Sequence, residues 1–338
     1  MNNVRHWDCG AYRKKYADVK DMVRPRKLLI HAMTIGINEG REFVFDKRYF
    51  FPKNVIDKYM NFYRNIPLTK EKIYNKIENS ISTEFFEENY TVYILRHMND
   101  ENTSKYWRHC HKKIRALYPN VKLVIIDDNS LEQYTKYDSE VTDVTFYYSE
   151  RESSEEFDIK EFRKRGELLP YYYYYTYGTT KYALFVHDSV FLNKPINDYI
   201  YEAEYLSLWN FDKTIDTNKL NRLIFDGFEC LDINKDWAGV FGGMCVISKD
   251  YLEKLNSEYS FLLISLHEID SRTKRMVLER LLGMLYYNMY GKQQDSLFGD
   301  ITCNCSSTDM KWGLSWDMYQ EMGQSLENLP LVKIWTGR

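Results

Sequence analysis

The spacing of hydrophobic positions changes near residue 90 of this 338-residue chain. Before that point, apolar residues recur at helical spacing, and Pro25, Pro52 and Pro67 interrupt the pattern. The stretches with helical spacing are 12–23, 27–37, 54–64 and 70–78. We find no strand pattern among them. The sequence therefore predicts a small helical N-terminal module and a linker over residues 1–89.

After residue 90, short apolar runs alternate with stretches of helical periodicity. The runs at 121–126 and 182–186 are nearly continuous in apolar residues, which is typical of strands buried in a parallel sheet. The predicted strands are 91–95, 121–126, 141–147, 182–186, 206–209 and 240–247, and the predicted helices are 104–118, 167–177, 250–255 and 273–289. Strands that alternate with helices form right-handed β-α-β units. We therefore predict an α/β domain over residues 90–338, with a mixed, mostly parallel sheet flanked by helices.

Composition and charge narrow the class of protein and its partners. The chain is 44% hydrophobic and 28% charged, as in ordinary globular proteins, and it contains 30 tyrosines. A net charge of −3 gives no electrostatic reason to expect nucleic acid as a partner. No apolar stretch approaches the ~20 residues that span a bilayer, and the N-terminal residues lack the apolar core of a signal peptide. We expect a cytoplasmic protein whose six cysteines are reduced.

Polar residues follow three of the predicted strands. They are Arg96 and His97, then Asp127, Asp128, Asn129 and Ser130, and finally His187, Asp188 and Ser189. Each group alone is also an ordinary turn or helix-capping sequence. However, ligands of open parallel sheets bind beyond the carboxyl ends of the strands. We therefore expect the three groups to form one ligand site.

The common phosphate-binding and catalytic motifs are absent from the sequence. It has no G-x-G-x-x-G after the first strand, no G-x-x-x-x-G-K-[ST], no G-x-S-x-G and no H-E-x-x-H. A nucleotide can still bind through carboxylates that accept from a base N–H or a ribose hydroxyl. Its diphosphate would then need a cation, and a divalent metal held by one or two carboxylates is the usual solution.

The order and spacing of two motifs resemble GT-A glycosyltransferases. The motifs are Ile-Ile-Asp-Asp-Asn-Ser at 125–130 and Ala-Leu-Phe-Val-His-Asp-Ser-Val-Phe-Leu at 183–192. A closer resemblance is to glycosyltransferases encoded by large DNA viruses of algae and protists. It includes Arg-His at 96–97, Tyr-Trp at 106–107 and the segment at 166–175, where five tyrosines follow Gly-Glu-Leu-Leu-Pro. If the chain is viral, the resemblance implies a location in the host cytoplasm or a viral factory.

The resemblance assigns roles to the three turns. Asp127 and Asp128 would contact the nucleoside, and Arg96 would lie near the base or a phosphate. Asp188, together with His187, would bind a divalent metal that bridges the diphosphate, so that Asp188 is also a catalytic candidate. The usual D-x-D motif has two carboxylates where this chain has His187, Asp188 and Ser189. Because imidazole suits Mn²⁺ better than Mg²⁺, we expect Mn²⁺, with Mg²⁺ as the alternative. The candidate for a third ligand, His267, falls within an apolar helical pattern.

Two further acids are candidates for the sugar side of the site. Glu167 opens a predicted helix, where it either binds sugar hydroxyls or complements the helix dipole. Asp236 precedes a glycine-rich segment that resembles the acceptor-side strand of GT-A enzymes. It is either the group that binds or deprotonates an acceptor hydroxyl or a solvated turn residue. Trp237 is expected to offer a flat apolar surface to a sugar. Weaker pocket candidates are Glu279, Arg280 and Asp295.

The resemblance implies a metal-assisted glycosyltransferase that moves a sugar from a nucleotide-sugar donor, a UDP-sugar in the first place, to a glycan or glycoprotein acceptor. The incomplete D-x-D motif keeps an alternative open, namely a non-catalytic nucleotide- or glycan-binding protein on the same fold. A nucleotidyltransferase would share the acidic turns, but it should also carry a phosphate loop rich in Gly, Arg and Lys, which we do not find.

Overall fold

The computed structural model describes residues 9–20, 76–135, 143–147, 164–213, 225–304 and 313–336. The chain divides into two compact units, residues 1–73 with 305–311 and residues 74–304 with 312–338. In the first unit, helix α1 (Cys9–Lys15) is followed by a 3-10 turn (Ala17–Val19). Tyr16 between them has an extended backbone, so the helix predicted over 12–23 is interrupted there. The helices predicted over 27–37 and 54–64, and most of the one over 70–78, lie outside the described residues.

The second unit is a mixed α/β unit, as predicted. Its strands are β1 (Tyr90–Arg96), β2 (Lys122–Asp127), β3 (Val144–Tyr147), β4 (Tyr182–His187), β5 (Val190–Leu192), β6 (Tyr205–Ser207), β7 (Asn210–Asp212), β8 (Ala238–Val240), β9 (Cys245–Ser248) and β10 (Leu331–Lys333). Its helices are α2 (Thr83–Asn89), α3 (Glu101–Leu117), α4 (Leu169–Tyr177), α5 (Lys249–Tyr259), α6 (Phe261–Glu268), α7 (Arg272–Tyr290), α8 (Ile301–Asn304) and α9 (Trp316–Met322).

Six of the described strands form one sheet in the order β3-β2-β1-β4-β9-β6. Strands β1 to β4 are mutually parallel, and β9 runs antiparallel to both of its neighbours. The prediction of a mixed, mostly parallel sheet is therefore confirmed. The register pairs Arg96 with Asp127 and Leu95 with His187. As a result, the carboxyl ends of β2, β1 and β4 lie side by side.

Helices cover both faces of the sheet. On one face, Trp107 and Ile114 of α3 share a core cluster with Val92 and Ile94 of β1. On the other face, α4 to α7 pack over the alternate residues of the same strands. The four tyrosines at 171–174 of α4 are all buried in this second cluster, so that part of the tyrosine run is core.

Local sequence explains where the long helices begin and end. Asp100 and Thr103 form a reciprocal capping box at the start of α3, which fixes the loop that follows β1. Helix α7 begins after Ser271, whose Oγ accepts from the Lys274 N–H. It ends at Gly291, whose φ of +68° is the left-handed conformation that glycine adopts at helix ends.

The prediction of one continuous strand over 240–247 is wrong. Strands β8 and β9 are separated by a 3-10 turn at Phe241–Gly243. Gly242 and Gly243 have φ values of +61° and +62°, a conformation that cannot continue a strand. We name residues 241–243 the glycine turn.

Residues 76–89, which we predicted to belong to the N-terminal segment, pack with the sheet unit. The amides of Ile77 and Ile81 donate to the carbonyls of Asp198 and Ile200, each at 3.1 Å. Within the described ranges, no helix is both long and apolar enough to cross a membrane.

Candidate functional site

A cavity of about 470 Å³ lies at the carboxyl edge of β1, β2 and β4. This volume is in the range of sites for small-molecule ligands. Its wall is completed by the 3-10 turn at Gly166–Leu168, the glycine turn, α7 and the end of β10. The polar and charged residues that line it include Arg96, His97, Asp128, Asn129, Lys164, Glu167, His187, Asp188, Ser189, Arg272, Arg275, Glu279, Arg280 and Lys333.

The structure brings most of the predicted site residues to this cavity. Arg96, Asp128, Glu167, His187 and Asp188 all line it. The prediction that groups after three strands meet therefore agrees with the geometry, while their functional roles remain predictions.

Asp127 lies behind the cavity wall rather than in it. Its carboxylate accepts from Arg96 Nε at 2.7 Å and from the Ser130 N–H at 2.8 Å. The guanidinium of Arg96 also stacks on Trp107, with Cζ 4.5 Å from the ring centroid. Both charged groups are almost fully buried. The ion pair therefore holds Arg96 in place at the cavity. Asp127 does not line the cavity and affects it only by positioning Arg96.

The residues predicted for the acceptor side lie elsewhere. The Asp236 side chain is 82% exposed beside Lys213, and it does not line the cavity. Trp237 is buried in the core, where its indole N–H donates to the Ile233 carbonyl, so its expected role as a sugar platform is wrong. Asp295 accepts from the Tyr201 hydroxyl away from the cavity, and His267 is exposed on α6.

Asp128 presents a buried carboxyl group to the cavity. Its backbone amide donates to the Arg96 carbonyl, and Asn129 next to it turns the chain with a φ of +68°. Arg275 Nη1 lies 3.9 Å from Asp128 Oδ2, while no described donor bonds to Oδ1. Burial outweighs the attraction of Arg275 and raises the pKa of Asp128 to about 6.

Arg275 lies between two acids on the same wall. Its Nη1 is 3.6 Å from Glu167 Oε2, in addition to the contact with Asp128. A Cβ atom on Gly166 would lie 2.5 Å from this Nη1, so a side chain there would displace the guanidinium. Glu167 Oε2 is buried and has no hydrogen-bond partner among the described residues. This oxygen is an unsatisfied acceptor on a residue of the cavity wall.

The glycine turn connects His187 to Glu279. The Gly242 N–H donates to Glu279 Oε1 at 2.7 Å, and the Gly242 carbonyl accepts from His187 Nε2 at 2.9 Å. Burial, together with repulsion from Glu167, raises the pKa of Glu279 to about 8. Burial lowers the pKa of His187 to about 4, so its imidazole is neutral at pH 7. Because a carbonyl only accepts, the proton of this imidazole is on Nε2.

The cavity is also lined by His97, Asp188 and Lys333. The His97 N–H donates to Asp188 Oδ2 at 3.3 Å, and its Nδ1 donates to the Asp128 carbonyl at 2.6 Å. Lys333 Nζ donates to Ser189 Oγ at 2.6 Å and to the Ile334 carbonyl at 2.8 Å. The antiparallel pairing of β10 with β5 sets Lys333 opposite Val190, directly after this turn.

The cavity combines acids with an excess of basic groups. Its acids are Asp128, Glu167, Asp188 and Glu279, and its basic side chains are Arg96, Lys164, Arg272, Arg275, Arg280 and Lys333. The raised pKa of Glu279 keeps that carboxyl largely protonated at pH 7, which adds to the positive balance. Such a wall suits an anionic ligand that also carries hydroxyl groups.

The donor set at residues 187–189 fits a divalent metal poorly. Asp188 is its one carboxylate, and His187 could ligate only through Nδ1, because its Nε2 proton is donated to the Gly242 carbonyl. The described part of the chain contains no group of three His, Cys, Asp or Glu side chains placed to hold a metal ion. The ammonium of Lys333 lies against Ser189 in the same turn. The expectation of Mn²⁺ at Asp188 and His187 remains a prediction, and we derive no chemical step from it.

Sequence reasoning missed four basic residues of the site, Lys164, Arg272, Arg275 and Lys333. Arg275 belongs to a polar row on α7, in which Arg272, Arg275 and Glu279 recur at helical spacing on an otherwise apolar helix. That row is a signal from which it could have been predicted. Lys333 has no such signal, because only the pairing of β10 with β5 brings it to the cavity.

No protein-family model matches the chain, and no curated protein is similar to it in sequence. Solved structures of glycosyltransferases are similar at low identity. The galactosyltransferase LgtC, in complex with donor and acceptor sugar analogs, is 8% identical, with 72% of this chain and 86% of that chain covered and a TM-score of 0.37. The mannosyltransferase Ktr4p from S. cerevisiae is 12% identical, with 72% and 78% covered and a TM-score of 0.34.

A glycosyltransferase involved in the glycosylation of the major capsid of PBCV-1 is 14% identical, with 72% of this chain and 93% of that chain covered and a TM-score of 0.31. These are distant similarities, and by themselves they assign no reaction to this chain.

Proposed function

We propose that this protein is a glycosyltransferase that binds a nucleotide-sugar donor in the cavity at the carboxyl edge of β1, β2 and β4. The observation that carries the proposal is the make-up of the cavity wall. Buried carboxyl groups that can accept from hydroxyls stand beside fixed guanidinium and ammonium groups that can bind phosphate. A nucleotide sugar contains both kinds of group.

The nucleoside end of the donor is assigned to the turn after β2. Asp128 Oδ1, which no described donor bonds, can accept from a ribose hydroxyl or a base N–H. The Arg96–Asp127 ion pair supports the turn from behind. UDP is the nucleotide we favour, and a comparison of nucleotide sugars with different bases tests this choice.

The sugar end is assigned to the wall between Gly166 and the glycine turn. Glu167 Oε2 can accept from sugar hydroxyls. Glu279, largely protonated at neutral pH, can donate a hydrogen bond to a sugar oxygen. Trp335 at the cavity mouth is 50% exposed and offers a flat apolar surface on the path of an acceptor.

In the proposed reaction, the bond between the anomeric carbon and the diphosphate oxygen breaks, and its electron pair leaves with the diphosphate. An acceptor hydroxyl oxygen forms the new bond to that carbon and gives its proton to the carboxylate of Asp188, which lines the cavity. The basic groups of the cavity stabilise the charge that develops on the leaving diphosphate. Asp188 is the proposed catalytic carboxylate on this side. Asp236, which is exposed and away from the cavity, is not assigned the role of base.

A second candidate is a protein that binds nucleotide sugars or glycans without turnover. The observation in its favour is the turn at residues 187–189, which has one carboxylate where a D-x-D motif has two. Binding is common to both candidates, and transfer distinguishes them.

A thermal-shift panel of nucleotide sugars, free nucleotides and free sugars tests donor binding. A ligand present at about 100 times its Kd stabilises the folded state by about 2.7 kcal/mol. We expect one class of nucleotide sugar to raise the melting temperature, and Glu167→Gln to reduce the shift. Glu258→Gln, an exposed glutamate on α5, is the matched control that should leave the shift unchanged. The absence of any shift in the wild-type protein would refute the proposed function.

A further inference from the structure

Lys333 is a lysine whose ammonium is fixed at the cavity wall. Its backbone is held by the pairing of β10 with β5, in which Lys333 lies opposite Val190. Its Nζ donates to Ser189 Oγ at 2.6 Å and to the Ile334 carbonyl at 2.8 Å. Both Lys333 and Asp188 line the cavity. A flexible surface lysine would have neither constraint.

The ammonium of Lys333 lies at the turn where the sequence predicted a metal ion. The Ser189 hydroxyl accepts from Lys333 itself, and His187 has only Nδ1 left for a metal ion, because its Nε2 donates to the Gly242 carbonyl. Of the three residues in this turn, only Asp188 contributes a carboxylate. A divalent ion bound there would also be repelled by the neighbouring ammonium.

We propose that the ammonium of Lys333, rather than a divalent metal ion, binds and neutralises the diphosphate of the donor. This inference rests on the proposed function and deepens it, because it assigns the cation that the leaving group needs. When the bond between the anomeric carbon and the diphosphate oxygen breaks, the electron pair stays on that oxygen. Lys333 stabilises the resulting charge through N–H···O hydrogen bonds and keeps its proton. The Mn²⁺ expected from the sequence is then unnecessary.

Calorimetric titration with UDP, inorganic pyrophosphate and uridine tests this inference. Each is titrated into the full-length protein, once with EDTA and once with Mn²⁺. We expect the wild-type protein to bind UDP in EDTA and Mn²⁺ to leave that affinity unchanged. Lys333→Ala should weaken the binding of UDP and pyrophosphate about tenfold or more, the scale of a lost charged hydrogen bond, while uridine binds as before. Lys333→Arg should retain most of the affinity.

Two further variants sharpen the comparison. Lys122→Ala removes an exposed lysine at the opposite, amino end of β2, where its Nζ bonds Thr179, and it should bind UDP like the wild type. Asp188→Asn separates the two cation models. A metal held by Asp188 would be lost with its charge, and UDP would bind more weakly. A site built on Lys333 binds UDP at least as tightly, since a negative charge near the diphosphate is removed.

Binding of UDP that requires Mn²⁺, or a Lys333→Ala variant that is folded and binds UDP as tightly as the wild type, would overturn the inference. The titration of wild-type protein with UDP in EDTA needs no variant, so it tests the inference even if a Lys333 variant fails to fold. If uridine binds and UDP needs the metal, this inference fails while the proposed function stands. If none of the nucleotides or nucleotide sugars binds, the proposed function fails with it.

Discussion

At the scale of single residues, position relative to the end of a strand decides what each acid does. The sequence places the end of the second strand at residue 126, whereas β2 extends to Asp127. Asp127 is therefore a strand residue paired in register with Arg96, and its carboxylate meets that arginine. Asp128, one residue later, faces the cavity. The Asp-Asp motif could be predicted from the sequence. Which of the two acids faces the cavity could not, because it depends on whether the strand ends at residue 126 or 127.

Glu279 gives a residue-scale prediction about pH. In the unfolded chain its carboxyl titrates near its ordinary value of 4.5, and in the folded protein its pKa is raised to about 8 by burial and by Glu167. The folded state therefore binds the extra proton. The stability that comes from this proton is complete below pH 4.5 and is lost as the pH rises through 8. Asp128, whose pKa is raised to about 6, has lost most of its proton by pH 7. Folding lowers the pKa of His187 from 6.5 to about 4, so His187 adds stability as the pH rises through 6.5 and opposes the Glu279 slope near that pH.

We expect the free energy of unfolding to fall between pH 6.5 and 8 by up to about 1.4 kcal/mol per pH unit in the wild-type protein. Glu279→Gln keeps an acceptor for the Gly242 N–H but cannot titrate, so its slope should be flatter. Urea denaturation across this interval measures both slopes, with Glu258→Gln as an exposed control. Equal slopes in the wild type and Glu279→Gln would show that Glu279 does not carry the proton.

At the scale of elements, continuous apolar runs were reliable guides to the buried strands, and mixed segments were not. The runs at 121–126 and 182–186 correspond to β2 and β4 within a residue at each end. The prediction of one strand over 240–247 was wrong, because the apolar residues on both sides of Gly242 and Gly243 gave the segment the pattern of a single strand. The two adjacent glycines are the signal for a turn. The sequence predicts none of the three-residue strands β5, β7 and β10.

The glycine turn gives an element-scale prediction. A Cβ atom at residue 242 would lie 2.7 Å from Cε1 of His187, in addition to the strain of a positive φ. Gly291 also has a positive φ, but nothing lies within 4 Å of its Cβ position. We expect Gly291→Ala to cost about 1–2 kcal/mol of stability. Gly242→Ala should cost about 1–3 kcal/mol more, because His187 must move.

Urea denaturation compares these two glycine variants, and nucleotide titration shows whether the site changes with stability. We expect Gly242→Ala alone to weaken nucleotide binding, since it displaces a residue of the cavity wall. Equal stability losses in the two variants would mean that the turn has room for a side chain.

At the scale of the whole molecule, the site depends on contacts between distant parts of the chain. Lys333 reaches residues 187–189 through a strand pair that joins positions far apart in sequence. Residues 76–89 also pack with the sheet unit, and Phe86 of α2 is fully buried, with its ring 4.6 Å from those of Tyr90 and Tyr118. Periodicity within a segment contains no information about such partners, which is why the α/β class was predictable and these contacts were not.

Phe86 tests whether α2 is part of the sheet unit. We expect Phe86→Ala to destabilise the protein by about 3–5 kcal/mol, the cost of emptying a buried aromatic site. The neighbouring Phe85 is partly exposed, so Phe85→Ala should cost clearly less. Thermal and urea unfolding of both variants make the comparison. A small and equal effect would place α2 with the N-terminal segment, as the sequence suggested.

The central claim is that the cavity binds a nucleotide sugar and transfers its sugar. The most direct measurement is the release of nucleoside diphosphate from a panel of nucleotide sugars incubated with a mixture of glycan acceptors, followed together with acceptor mass. We expect one donor to be consumed, with diphosphate and glycosylated acceptor formed in equal amounts. Asp188→Asn should lower the rate by about 100-fold or more. A folded protein that binds the donor but releases no diphosphate would contradict the claim and identify a binding protein instead.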